Sequence, residues 1–160
     1  MQTRTEQHRW WRRGGSRTGL IVLLGIFVGF VGLRLYLGRS APVPPAFDPE
    51  VSMNDALNEA GSEKVVLVLA TADWCPPCQQ LKRGALADSR VIEAIRSRTV
   101  PVYADGTQQL GAEFAPLQIG AFPTMVAIRD GVVLSRVVGV LDAGEVLDWL
   151  DEVEQMPAAG

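Results

Sequence analysis

Lys64-Val65-Val66-Leu67-Val68-Leu69-Ala70 is a continuous apolar run once its opening lysine is passed. A run of strand length without polar alternation has both faces covered, which places it inside a sheet with helices on either side. Gln79 to Leu86 reads as helix, so the residues between form a strand-to-helix handover. That handover carries Trp74-Cys75-Pro76-Pro77-Cys78, and with it both cysteines of the chain. Pro76 and Pro77 fall at early helical positions, where a missing N–H breaks no intrahelical bond. The unpaired N–H groups and macrodipole of a helix start favour an anion, so Cys75 is expected to be the thiolate-forming, attacking sulfur. Cys78 is then the resolving partner.

The rest of the chain reads in order around that strand. Glu50 to Ala60 has helical apolar spacing and ends at Gly61, a C-cap residue. Gly84 interrupts the cysteine helix, and Asp88 or Ser89 caps a further helical piece ending in Arg96 and Arg98. Thr99 to Tyr103 is a strand and Gln108 to Phe114 a short helix. Gly120 to Arg129 is a strand opening at Pro123, and Asp130-Gly131 is a hairpin turn leading to a strand over Val132 to Val138. Asp142 with Glu145 forms a capping box before a last helix that carries Val146, Trp149, Leu150 and Val153 on one face. Helices alternating with strands, closed by a hairpin, give an α/β sandwich of three layers with a mixed sheet.

Charge divides the chain. Residues 1–40 hold seven arginines against Glu6, and residues 41–160 hold eight Lys or Arg against seventeen Asp or Glu. The acidic part argues against nucleic acid as a partner. In the basic part, Gly19 to Leu33 is apolar throughout and is followed by Arg34 and Leu-Tyr-Leu. This reads as a transmembrane helix over 19–38 embedded in a lipid bilayer, with Arg34 snorkelling and Tyr36 at the interface. The arginines at 4, 9, 12, 13 and 17 make 1–18 a cytoplasmic basic tail by the positive-inside rule. The expected location is the inner (cytoplasmic) membrane, single-pass, with the remainder periplasmic or extracytoplasmic. Residues 39–50 are proline-rich and read as a semi-rigid spacer, leaving 51–156 as the catalytic domain. On that side of the membrane the thiols meet an oxidising compartment.

Ala72-Asp73-Trp74-Cys75-Pro76-Pro77-Cys78 and the later Phe122-Pro123-Thr124, with Gly139 and the final helix, resemble the thioredoxin-fold family over about residues 51–155. The first motif is similar to that of the periplasmic C-terminal thioredoxin domain of the disulfide reductase DsbD, and the Pro-Pro pair to that of the anchored cytochrome c maturation reductases. The resemblance implies a cis bond before Pro123 and a substrate groove formed by Trp74, Pro76, Pro77, Phe122, Pro123 and Thr124. It implies a redox-active Cys75–Cys78 disulfide. One departure stands out: the family's buried Asp, six residues before the first cysteine, is here Leu69, and its Lys neighbour falls at about Pro101. Asp73 is the acidic residue closest in sequence, expected at an exposed strand end.

The expected activity is thiol-disulfide exchange, in the direction that reduces protein disulfides, with re-reduction by a membrane thiol electron donor and no bound cofactor. A structural zinc site wants four ligands, and His8, the only histidine, lies across the membrane in this reading. A competing reading is a non-catalytic tethered module that binds clients or delivers copper through its paired soft ligands.

Overall fold

The structure is a computed structural model that describes residues 16–38 and 40–157, with side chains over 19–34, 38 and 40–157. It divides into two compact units, 1–39 and 40–160. In the first, helix α1 runs Ser16–Leu37. Leu20, Ile21, Leu23, Leu24, Ile26 and Phe27 are all exposed on it, and the Arg34 guanidinium lies 5.2 Å from the Phe30 ring centroid. Among the described residues no helix is long and apolar enough to cross a membrane. This corrects the transmembrane reading of 19–38. The uninterrupted apolar run ends at Arg34 and covers about 22 Å of helix, against roughly 30 Å of hydrocarbon. The tail over 1–15 lies outside the described residues, as does the side chain of Tyr36.

The second unit carries a four-stranded sheet in the order β2-β1-β3-β4. Strand β1 (Val65–Thr71) is buried at every position, as its unbroken apolar run requires. It pairs in parallel with β2 (Thr99–Asp105) and antiparallel with β3 (Thr124–Arg129), which pairs antiparallel with β4 (Val132–Val138). The β3–β4 turn places Asp130 at φ 52° and Gly131 at φ 72°, the left-handed pair that an Asp-Gly hairpin uses. The sheet is mixed and lies between helices.

Alternation along β1 divides the core in two. Leu67 and Leu69 face α3 (Pro76–Arg83), α4 (Ser89–Arg98) and α5 (Ala143–Gln155), meeting Leu81, Ile95, Val146 and Leu150. Val66, Val68 and Ala70 face the opposite way, toward α2 (Met53–Ala60) and Phe114 and Leu117. Helix caps follow the sequence signals: Ser52 for α2, Asp88 for α4, and a reciprocal Asp142–Glu145 capping box for α5.

Several boundaries move. Helix α2 begins at Met53, because Ser52 supplies the cap. The helix expected over 108–114 is a 3-10 turn at Ala112–Leu117 that contains Pro116, which forbids a longer ladder. Strand β3 begins at Thr124, after the proline.

The proline-rich stretch turns twice, with the Phe47 N–H donating to the Pro44 carbonyl at 2.9 Å and the Val51 N–H to the Asp48 carbonyl at 3.4 Å, and it is not a free spacer. Ala41, Ala46 and Phe47 are buried, with Ala46 and Phe47 in the α3–α5 face of the core. The Ala41 N–H donates to Gln79 Oε1, and Arg96 donates to the Pro45 carbonyl at 2.5 Å. Composition alone does not show that these apolar residues meet a core.

Candidate functional site

The site lies where β1 hands over to α3. Ala72 is buried, Asp73 and Trp74 emerge into solvent, and Cys75 is the N-cap of α3 with extended backbone. Its Sγ accepts from the Cys78 N–H at 3.2 Å. Pro76 and Pro77 occupy the first helical positions and are exposed. Cys75 and Cys78 are joined by a disulfide, with Cα atoms 5.3 Å apart. Cys78 is fully buried, whereas Cys75 sits under the rim of the surface. The sulfur nearer solvent is therefore also the one held by a helix-start amide, the setting that favours a thiolate.

Around this pair the sequence-expected residues separate into those that surface and those that support. Trp74 is 64% exposed, and its Nε1–H donates to the Thr107 carbonyl at 2.9 Å. Its indole meets the Phe122 ring edge-on at a centroid separation of 5.9 Å. Phe122 is half-buried and packs against Ala72, Cys75 and Cys78. The Phe122–Pro123 bond is cis, as the resemblance implied. Pro123 itself is buried, and its carbonyl accepts from the Gly139 N–H at 2.9 Å. Thr124 is buried as well, and its hydroxyl donates to the Ala121 carbonyl at 2.7 Å. Thr124 thus braces the turn from within. Trp74, Pro76, Pro77 and Phe122 are the residues that present a surface beside the disulfide.

A domain family described as thioredoxin-like matches residues 53–154. The chain belongs to the thioredoxin-like family. A thioredoxin-like protein of Synechocystis is 31% identical over 94 residues, covering 57% of this chain and 83% of that protein. The thioredoxin of Chlorobaculum thiosulfatiphilum is 31% identical over 93 residues, covering 57% and 81%. Among solved structures, a Thermus thermophilus thioredoxin superposes with a TM-score of 0.56 at 22% identity, covering 69% of this chain and 88% of that one. The last likeness bears on the fold alone.

Within this thioredoxin-like domain, the chemistry of the pair is thiol-disulfide exchange. The polar groups beneath it are unusual in origin. Leu69 is buried where the resemblance places an Asp, and its register partner on β2 is Tyr103, not Pro101. Strand β2 begins at Thr99, directly after α4, and this sets a register two residues beyond the sequence-based alignment. Into that place reaches Lys82, from one turn after Cys78 on α3. Its side chain is buried, and its Nζ donates to the Tyr103 hydroxyl at 2.7 Å and lies 3.6 Å from Asp73 Oδ1. Asp73, exposed as expected, is tied down by its N–H to Thr107 Oγ1 at 3.0 Å.

Sequence reasoning missed Lys82, Tyr103 and Thr107. The i to i+4 spacing from Cys78 was the available signal for Lys82, and Asp105-Gly106-Thr107 is a turn pattern that could have flagged Thr107. Gly106 is also part of the site: a Cβ there would lie 2.4 Å from Phe122 Cζ. Among the described residues, no group of three or more His, Cys, Asp or Glu could hold a metal ion.

Proposed function

We propose that this chain is a membrane-attached, extracytoplasmic reductase of protein disulfides. The observation that carries the reading is Cys75 at the cap of α3, receiving the Cys78 N–H while Cys78 lies buried behind it. In the reduced protein the Cys75 thiolate attacks one sulfur of a substrate disulfide, forming a mixed disulfide and expelling the other sulfur as a thiolate that takes a proton. Cys78 then loses its proton and attacks Cys75, releasing the second substrate thiol and leaving Cys75–Cys78 oxidised. Two electrons and two protons have passed to the substrate. A membrane thiol donor returns them by the reverse exchange. Trp74 and Phe122 flank the attacking sulfur with apolar surface suited to an extended peptide.

Attachment to a membrane is supported by the all-round apolar character of α1, which wants lipid or protein cover, and by the arginine-rich stretch before it. The extracytoplasmic side is supported by the likeness of the Ala72 to Cys78 motif to that of the periplasmic disulfide reductases. In a bacterial host, the chain should resist alkaline extraction from membranes, and a membrane-impermeant maleimide should label its reduced cysteines in spheroplasts. Release by alkali, or labelling only after lysis, would sink this placement.

The exchange chemistry is tested by Cys78→Ser, which should accumulate a mixed disulfide with substrate, while Cys75→Ser should lose activity. Activity retained in Cys75→Ser would instead mark a client-binding module. Direction is read from the reduction potential of the full chain in glutathione buffers. About −220 mV or below marks a reductant, and about −120 mV an oxidant.

A further inference from the structure

Lys82 is the only Lys, Arg, Asp or Glu among the described residues that is buried, at 5% exposure. Removing an ammonium from water is costly unless partners replace the lost hydration. Here the Tyr103 hydroxyl supplies one hydrogen bond at 2.7 Å, and the Tyr103 ring centroid lies 5.2 Å from Nζ. Both are neutral. Among the described residues the one carboxylate in an ion pair with it is that of Asp73, which stands off at 3.6 Å with its side chain 49% exposed. A half-hydrated carboxylate at that distance balances a buried cation only in part. Lys82 is therefore short of negative charge.

Its position says where that charge is to come from. Lys82 follows Cys78 by four residues on α3, so the two share a face of the helix. Helical side chains lean back toward the N-terminus, here toward the turn that holds the cysteines. Both groups that fix Nζ belong to the same end of the sheet: Asp73 precedes Cys75 by two residues, and Tyr103 lies opposite Leu69 near the end of β1. The oxidised pair is uncharged. When it accepts two electrons and two protons, and Cys75 releases its proton to solvent, one negative charge appears at the same end of the sheet as this cation.

We propose that Lys82, fixed by Tyr103, is the electrostatic partner of the reduced cysteines and sets their potential, in place of the Asp and Lys that the sheet lacks. The inference rests on the reading of Cys75–Cys78 as a redox-active pair. Lys82 favours the dithiol by stabilising its thiolate, and Asp73 opposes it by neutralising Lys82. The two residues act with opposite sign, which no purely structural role produces.

The test equilibrates the full chain in glutathione redox buffers, scores the dithiol fraction by thiol alkylation, and follows thiolate formation with pH. Lys82→Met should move the equilibrium about tenfold toward the disulfide, or about 30 mV for this two-electron couple, and raise the pH at which Cys75 ionises. Lys82→Arg should stay within about threefold of wild type. Asp73→Asn should move the equilibrium severalfold the other way and lower that pH. A folded Lys82→Met with an unchanged equilibrium, or Lys82→Met and Asp73→Asn moving in the same direction, would overturn the proposal. Should Lys82→Met fail to fold, Asp73→Asn decides by itself: a shift toward the dithiol supports the proposal, and no shift overturns it. A wild-type chain that forms no reversible disulfide in these buffers would instead remove the redox reading itself.

Discussion

Thr71 ends β1 on the face that packs against α3, and its hydroxyl is buried with no hydrogen-bond partner. A buried polar group left unpaired costs about 1–3 kcal/mol. Thr71→Val, which keeps the shape and drops the hydroxyl, should stabilise the oxidised protein by about 1 kcal/mol in denaturant unfolding. A loss of stability would show that the hydroxyl is satisfied after all. Gly106 gives the opposite case. A methyl there collides with the Phe122 ring, so Gly106→Ala should cost about 1–3 kcal/mol and slow reduction of a protein disulfide. An unchanged exchange rate would remove Phe122 from the substrate surface. At this scale the cysteines, Trp74 and Pro123 were legible because their signals are local. Lys82 was not. In sequence it reads as an ordinary basic residue near a helix end, and its burial is created by Tyr103, 21 residues away on a strand whose register is set by α4.

Elements announced themselves where capping or turn chemistry is written into neighbouring residues, as at Asp130-Gly131 and Asp142 with Glu145. The cap of α4 makes a pH prediction. Asp88 Oδ1 accepts from the Arg90 N–H at 2.9 Å, and the Arg90 guanidinium grips the same carboxylate at 2.9 and 3.2 Å. These bonds, the side-chain one foremost, hold the Asp88 carboxyl down at about 2, against an unfolded value near 3.9. Its contribution is complete above about pH 4 and is lost as pH falls through about 2. The thermal midpoints of wild type and Asp88→Ala should therefore differ at pH 7 and converge toward pH 2; an equal gap at both would contradict the cap. The proline-rich segment was misread because prolines carry no periodicity to betray a buried face. Phe47→Ala tests its docking: a buried aromatic costs about 3–5 kcal/mol to truncate, while a free spacer would tolerate the change.

Across the whole molecule, the acidic unit of residues 40–160 carries both halves of the core and every residue of the site. A chain begun at Ser40 should keep the thermal midpoint and potential of the full protein, measured in detergent for both. A lower midpoint would show that α1 contributes to the fold. The three-layer architecture was legible because strand burial and helix caps agree along the sequence, whereas the apolar run of α1, diluted by glycines and closed by Arg34, supports two readings by composition. The docking of the proline-rich segment has a consequence for the site. Gln79 takes the Ala41 N–H on Oε1, donates through Nε2 to the Asp73 carbonyl at 3.2 Å, and adjoins Cys78. One side chain therefore stitches the docked segment at Ala41 to the turn that carries Asp73 and to the residue beside the resolving sulfur, so loosening that segment frees the cysteine turn as well.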